Sequence, residues 1–86
     1  MRRGERLTKM NWFDKLKVAL LKEDDQGAFV LISNLPQDLE SASLEDKLQA
    51  LELIDQTRLL LQSKQLQTKI HMEQIKAAKK FLENSL

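Results

Sequence analysis

Apolar residues recur at intervals of three and four along most of the chain, and the interruptions of that rhythm divide it into segments. Trp12, Phe13, Leu16, Ala19 and Leu20 share helical spacing, Asn11 before them suits a helix N-cap, and Asp14 favours the positive end of a helix. The spacing predicts a first helix over residues 12–22. Asp24 and Asp25 then restart the chain as an N-terminal cap, and Ala28, Phe29, Ile32 and Leu35 continue at helical steps as far as Pro36. A second short helix over 25–35 is the preferred reading. The run FVLI also suits a buried strand, because periodicity does not separate the two at this length, but no second strand is evident to pair with it.

The stretch PQDLESAS, residues 36–43, is a polar connector, and Ser43 followed by Glu45 and Asp46 is a strong helix start. From there to residue 84 the chain contains neither glycine nor proline. Leu44, Leu48, Leu51, Leu59, Leu66, Ile70, Ala77 and Phe81 fall on an eleven-residue repeat when Asp55, Gln62 and Glu73 fill its gaps. Such a repeat is about 3.67 residues per turn, so its positions stay on one stripe of a straight helix. A single helix over 44–84 would reach roughly 60 Å, about twice the diameter of a compact domain this small. Something must then lie alongside it.

The stripe is uneven. Leu53, Ile54, Leu60 and Leu61 widen it in the first part, residues 62–74 are dominated by glutamine, lysine and threonine, and Ile75, Ala77, Ala78, Phe81 and Leu82 restore a narrow apolar face. The N-terminal helices should cover the wide part and leave the narrow part for a second copy or a target. A hairpin broken near Gln62–Lys64 is the alternative, although Ser63 is the one turn-forming residue there.

Composition bounds the rest. At 86 residues a chain buries only about 60–65% of its surface, which makes association an expectation. Fourteen basic and thirteen acidic residues leave a net charge of +1, too little to attract nucleic acid or anionic membrane globally. There is no cysteine for a disulfide or thiolate site, no signal-peptide pattern and no apolar run near the roughly 20 residues of a membrane span, so a cytoplasmic protein is expected. Residues 1–10 read as a flexible basic arm, with Arg2, Arg3, Arg6 and Lys9 as candidate nucleic-acid contacts. Met10 is itself a possible start, so the arm is left out of the fold argument, and residues 11–86 make one helical domain.

No pattern of catalysis is evident. His71 is the only histidine and Glu73 lies on another helical face, which points to a solvated side chain and not a metal ligand. Asp24, Asp25, Asp38, Glu40, Glu45 and Asp46 lack the spacing of a calcium loop and suit helix caps. There is no phosphate-binding loop and no nucleophile motif, so neither an enzyme nor a cofactor is expected. Trp12 and Phe13, flanked by Lys15, Lys17 and Lys22, could enter a membrane surface, but packing inside the protein is the stronger reading. Lys76, Lys79 and Lys80 complement the negative end of a helix.

The segment FDKLKVALLKEDDQGAFVLISNL followed by LEDKLQALELIDQTRLLLQSKQLQTKIHMEQIKAAKKFLENSL resembles, in helix layout, the small flagellar and type III export chaperones of the FlgN and FliT kind. The resemblance runs from Trp12 to Leu86 and rests on no diagnostic motif. It implies an all-helical, often dimeric protein that binds an amphipathic region of an exported protein and keeps it soluble. This chain is shorter, and its first helix spans about three turns, so a matched hairpin would need a second copy.

The sequence therefore predicts an all-α protein with short N-terminal helices on one long amphipathic helix, completed as a helical bundle by dimerisation. Its expected function is to bind an amphipathic client helix through Leu59, Leu66, Ile70, Ala77 and Phe81 as a cytosolic chaperone or adaptor. The alternatives are a nucleic-acid-associated regulator using the arm and a structural coiled-coil subunit.

Overall fold

The computed structural model describes the backbone from Arg3 onward and the side chains from Trp12 onward. Four α-helices, α1 (Arg3–Leu21), α2 (Asp25–Ser33), α3 (Leu44–Ser63) and α4 (Lys69–Asn84), are joined by short turns and a 3-10 segment, Gln37–Ser41. Among the described residues there is no strand, and the FVLI run lies inside α2.

The one long helix expected over 44–84 is two helices, and a stop at Lys64–Thr68 separates them. The longest dimension of the molecule, 41 Å, has no room for a rod of the expected length. At the stop, Gln65 takes the left-handed conformation with φ 59°. The Leu66 N–H reaches back to the Leu61 carbonyl at 2.7 Å and the Gln65 N–H to Gln62 at 3.0 Å. These are the two hydrogen bonds of a Schellman C-cap, and the hydrophobic contact that accompanies it comes from Leu66 packing on the core that holds Leu61. Thr68 then caps α4, its hydroxyl accepting from the His71 N–H. Glycine is the usual residue at the left-handed position, and its absence made the sequence read as continuous.

The α1–α2 junction is built the same way. Glu23 has φ 55°, Asp24 N–H reaches the Ala19 carbonyl at 2.8 Å and Glu23 N–H reaches Leu20 at 3.1 Å. Asp24 also opens the next helix, its carboxylate accepting from the Gly27 N–H at 3.1 Å. A Cβ at Gly27 would fall on that carboxylate, so a larger residue there would push the Asp24 side chain from its present position. At α3 the expected cap is in place, with Ser43 Oγ accepting from the Asp46 N–H at 3.2 Å.

Three other boundaries differ from expectation. Helix α1 begins at Arg3 and takes in most of the segment read as a flexible arm, so Asn11 lies within the helix and does not cap it. Helix α2 ends at Ser33, where the Asn34 side chain turns back to the Val30 carbonyl at 2.9 Å, two residues before 35. The polar connector contains the 3-10 segment, whose Leu39 is wholly buried.

The core draws on every element. Trp12, Phe13, Leu16 and Ala19 of α1 meet Ala28 and Ile32 of α2, Leu39, Ala50, Leu53, Ile54 and Leu61 of α3, and Ile75, Ala78 and Leu82 of α4. Both aromatic rings of α1 are buried, edge to face at 5.2 Å, and the Trp12 indole donates to the Leu31 carbonyl at 2.9 Å. This bond ties α1 to α2. Lys47 is nearly buried and donates to the Ser85 carbonyl at 2.6 Å, which fastens the C-terminal end of α4 to the start of α3. The antiparallel helix that α3 needs for cover is thus α4 of the same chain.

Candidate functional site

On α3 the buried positions are Lys47, Ala50, Leu53, Ile54, Thr57 and Leu61. At 100° per residue, this face lies about 140° around the helix from Leu44, Leu48, Asp55 and Leu59. The eleven-residue stripe is therefore the outer face of α3. Leu44 is 60% exposed, and Leu48 and Leu59 are each 49% exposed. Leu51, at the margin of the stripe, packs partly against the core.

The five residues expected to bind a partner do not form one stripe. Leu59 is on the outer face of α3, whereas Leu66 is half-buried against the core as part of the turn. Ile70, 72% exposed, shares with Ala77 and Phe81 a face of α4 about 110° from its buried Ile75, Ala78 and Leu82. Ala77 and Phe81 border a shallow depression with Ile32 of α2 and Leu35 just beyond its end. Helix α4 thus contributes a second, smaller apolar patch. Of the basic positions expected to touch nucleic acid, Arg2 lies outside the described residues, and Arg3, Arg6 and Lys9 fall in the first turns of α1, where only the backbone is described.

Sequence reasoning missed the groove beside the outer face of α3. Lys17, Leu20 and Leu21 of α1 face Gln49, Glu52, Leu53 and Gln56 of α3 across a space of about 430 Å³. Leu21 on its rim is 84% exposed. The residues of the α3 wall follow Leu48 and Leu59 around the helix, so leucine stripe and groove form one surface. The alternation of Gln49, Glu52 and Gln56 with buried Leu53 is the signal that could have marked this wall.

Acidic groups dominate the α3 side of that surface. Glu45 and Glu52 are exposed, and Asp55 is held by the Arg58 guanidinium at 3.0 Å. The histidine is not a free solvated side chain: His71 bonds through Nδ1 to the Thr68 hydroxyl and lies against Phe29, with ring centroids 4.7 Å apart. It helps fasten α4 to α2. No group of three or more potential metal ligands occurs among the described residues, and no described helix is long and apolar enough to cross a membrane.

Fold and surface define an all-helical protein with a leucine-bearing outer helix face beside a groove. No family model, no curated protein and no solved structure matches this chain.

Proposed function

We propose that this is a non-enzymatic helical interaction protein that receives an amphipathic helix of a partner on the outer face of α3. One observation carries the reading: Leu44, Leu48 and Leu59 stay 60%, 49% and 49% exposed in line, while the opposite face of the same helix fills the core. Leucines on a helix already covered by its own chain add nothing to the fold there. Such a stripe beside an interhelical groove suits helix-in-groove recognition, in which anchors at i, i+3, i+4 and i+7 supply the buried area. The patch of Ile70, Ala77 and Phe81 is a second contact region on α4.

The most specific form of this proposal is a cytosolic chaperone or adaptor that shields an amphipathic region of a secreted or flagellar client, a form suggested by helix layout alone. Association with a second copy through the same face is the competing use, and concentration-dependent sedimentation separates the two. A nucleic-acid role for Arg2, Arg3, Arg6 and Lys9 would make affinity fall steeply with salt, unlike apolar helix capture.

The test is a comparison of captured proteins between the natural chain and a Leu48→Glu, Leu59→Glu double variant with unchanged helix content. A partner held by the natural chain should be lost from the variant. Equal recovery from both would refute placement of the site on α3.

A further inference from the structure

The charges around the stripe specify the chemistry of the incoming helix. Glu45 and Glu52 project beside the exposed leucines, and the nearby Asp55 is shared with Arg58. On a helical projection, Leu48, Leu59, Glu52 and Glu45 occupy successive positions within about 60°, so the two glutamates line the edge where stripe becomes groove. On the opposite wall Lys17 is the one basic lining residue, with Leu20 and Leu21 beside it. The surface thus carries leucines along the stripe, two glutamates along its α3 rim and one lysine across a groove that Gln49 and Gln56 also line.

Resting on the reading that this face receives a helix, we infer that its partner is an amphipathic helix with leucine-sized side chains on one face and lysine or arginine along the flank that meets Glu45 and Glu52. Burial of the partner's apolar side chains in the groove and on Leu48 and Leu59 supplies affinity. Rim charge supplies selection, because exposed complementary charges chiefly raise the encounter rate and exclude like-charged competitors. Lys17 reinforces the choice by favouring an acidic residue on the partner's other flank. A helix carrying acids along the α3 side meets two glutamates and is rejected.

The inference is tested by fluorescence anisotropy with two synthetic helical peptides of identical leucine face, one with lysine and the other with glutamate at the flanking positions. They are titrated against the full chain, a Glu45→Lys, Glu52→Lys variant and a Leu48→Glu, Leu59→Glu variant. The full chain should prefer the lysine peptide by about five- to tenfold at low salt, a preference that shrinks as salt is raised. The lysine variant should reverse the order, and the leucine-face variant should bind neither peptide. Equal binding of both peptides by the full chain and by the lysine variant, with loss only in the leucine-face variant, would overturn the charge assignment and leave the helix-binding face standing. Binding of neither peptide by the full chain would overturn both. Retention of helix content by circular dichroism separates lost binding from lost fold.

Discussion

The two faces of α3 are both rich in leucine or isoleucine and have opposite fates. The inner face carries Leu53, Ile54 and Leu61 with Ala50 and Thr57, and all five are buried. The outer face carries Leu44, Leu48 and Leu59 interleaved with Glu52 and Asp55, and those leucines remain at the surface. The two faces carry equal numbers of these large apolar residues, and periodicity favours the outer stripe, whose leucines fall on the eleven-residue repeat. What marks the inner face is the presence of small residues, which let neighbouring helices approach. Thr57 serves as one of them, since its hydroxyl is satisfied within the helix by the Leu53 carbonyl at 2.9 Å.

The largest effect should come from breaking the inner face. Ile54→Ala removes most of a wholly buried side chain and should lower stability by about 2–5 kcal/mol in urea denaturation. Leu48→Ala on the outer face should change it by no more than about 0.5 kcal/mol. Similar losses from both substitutions would erase the distinction between the faces.

A smaller effect is expected where the inner face ends. Lys47→Ala removes the donor to the Ser85 carbonyl and should cost about 1–2 kcal/mol. Lys47→Met, which keeps the apolar stem and loses only the charged bond, should recover part of that. Hydrogen exchange would then rise chiefly in the last turn of α4.

The smallest effect should have the opposite sign. Gln65→Gly and Glu23→Gly relieve left-handed residues at the two helix stops, and each should raise the unfolding free energy by up to about 1 kcal/mol. Alanine at either position should bring no such gain.

Much of the helical content was legible, because Asp24 and Ser43 are strong capping residues and both open helices where expected. The α3–α4 stop was legible only as an alternative. Its left-handed residue is glutamine, and the partner that makes the turn work, Leu66, looks in sequence like one more member of the repeat. That single miss displaced the candidate site. Joining Leu59 to Leu66, Ile70, Ala77 and Phe81 requires an unbroken helix, whereas the fold-back of α4 buries Leu66 in part and separates the outer face of α3 from that of α4. The α1–α3 groove was not legible, because it depends on which face of α3 turns inward. A period shared by two faces does not settle that.

The most direct test of the central claim, that the outer face of α3 is an interaction surface surplus to the fold, is a chemical-shift titration of the full chain with the lysine-flanked helical peptide. Perturbed amides should cluster on Leu21, Leu48, Glu52 and Leu59 and their neighbours, with Ile54, Leu61 and Leu82 unmoved. Shifts centred on the Ile70 and Phe81 patch of α4, or no shifts at all, would contradict it.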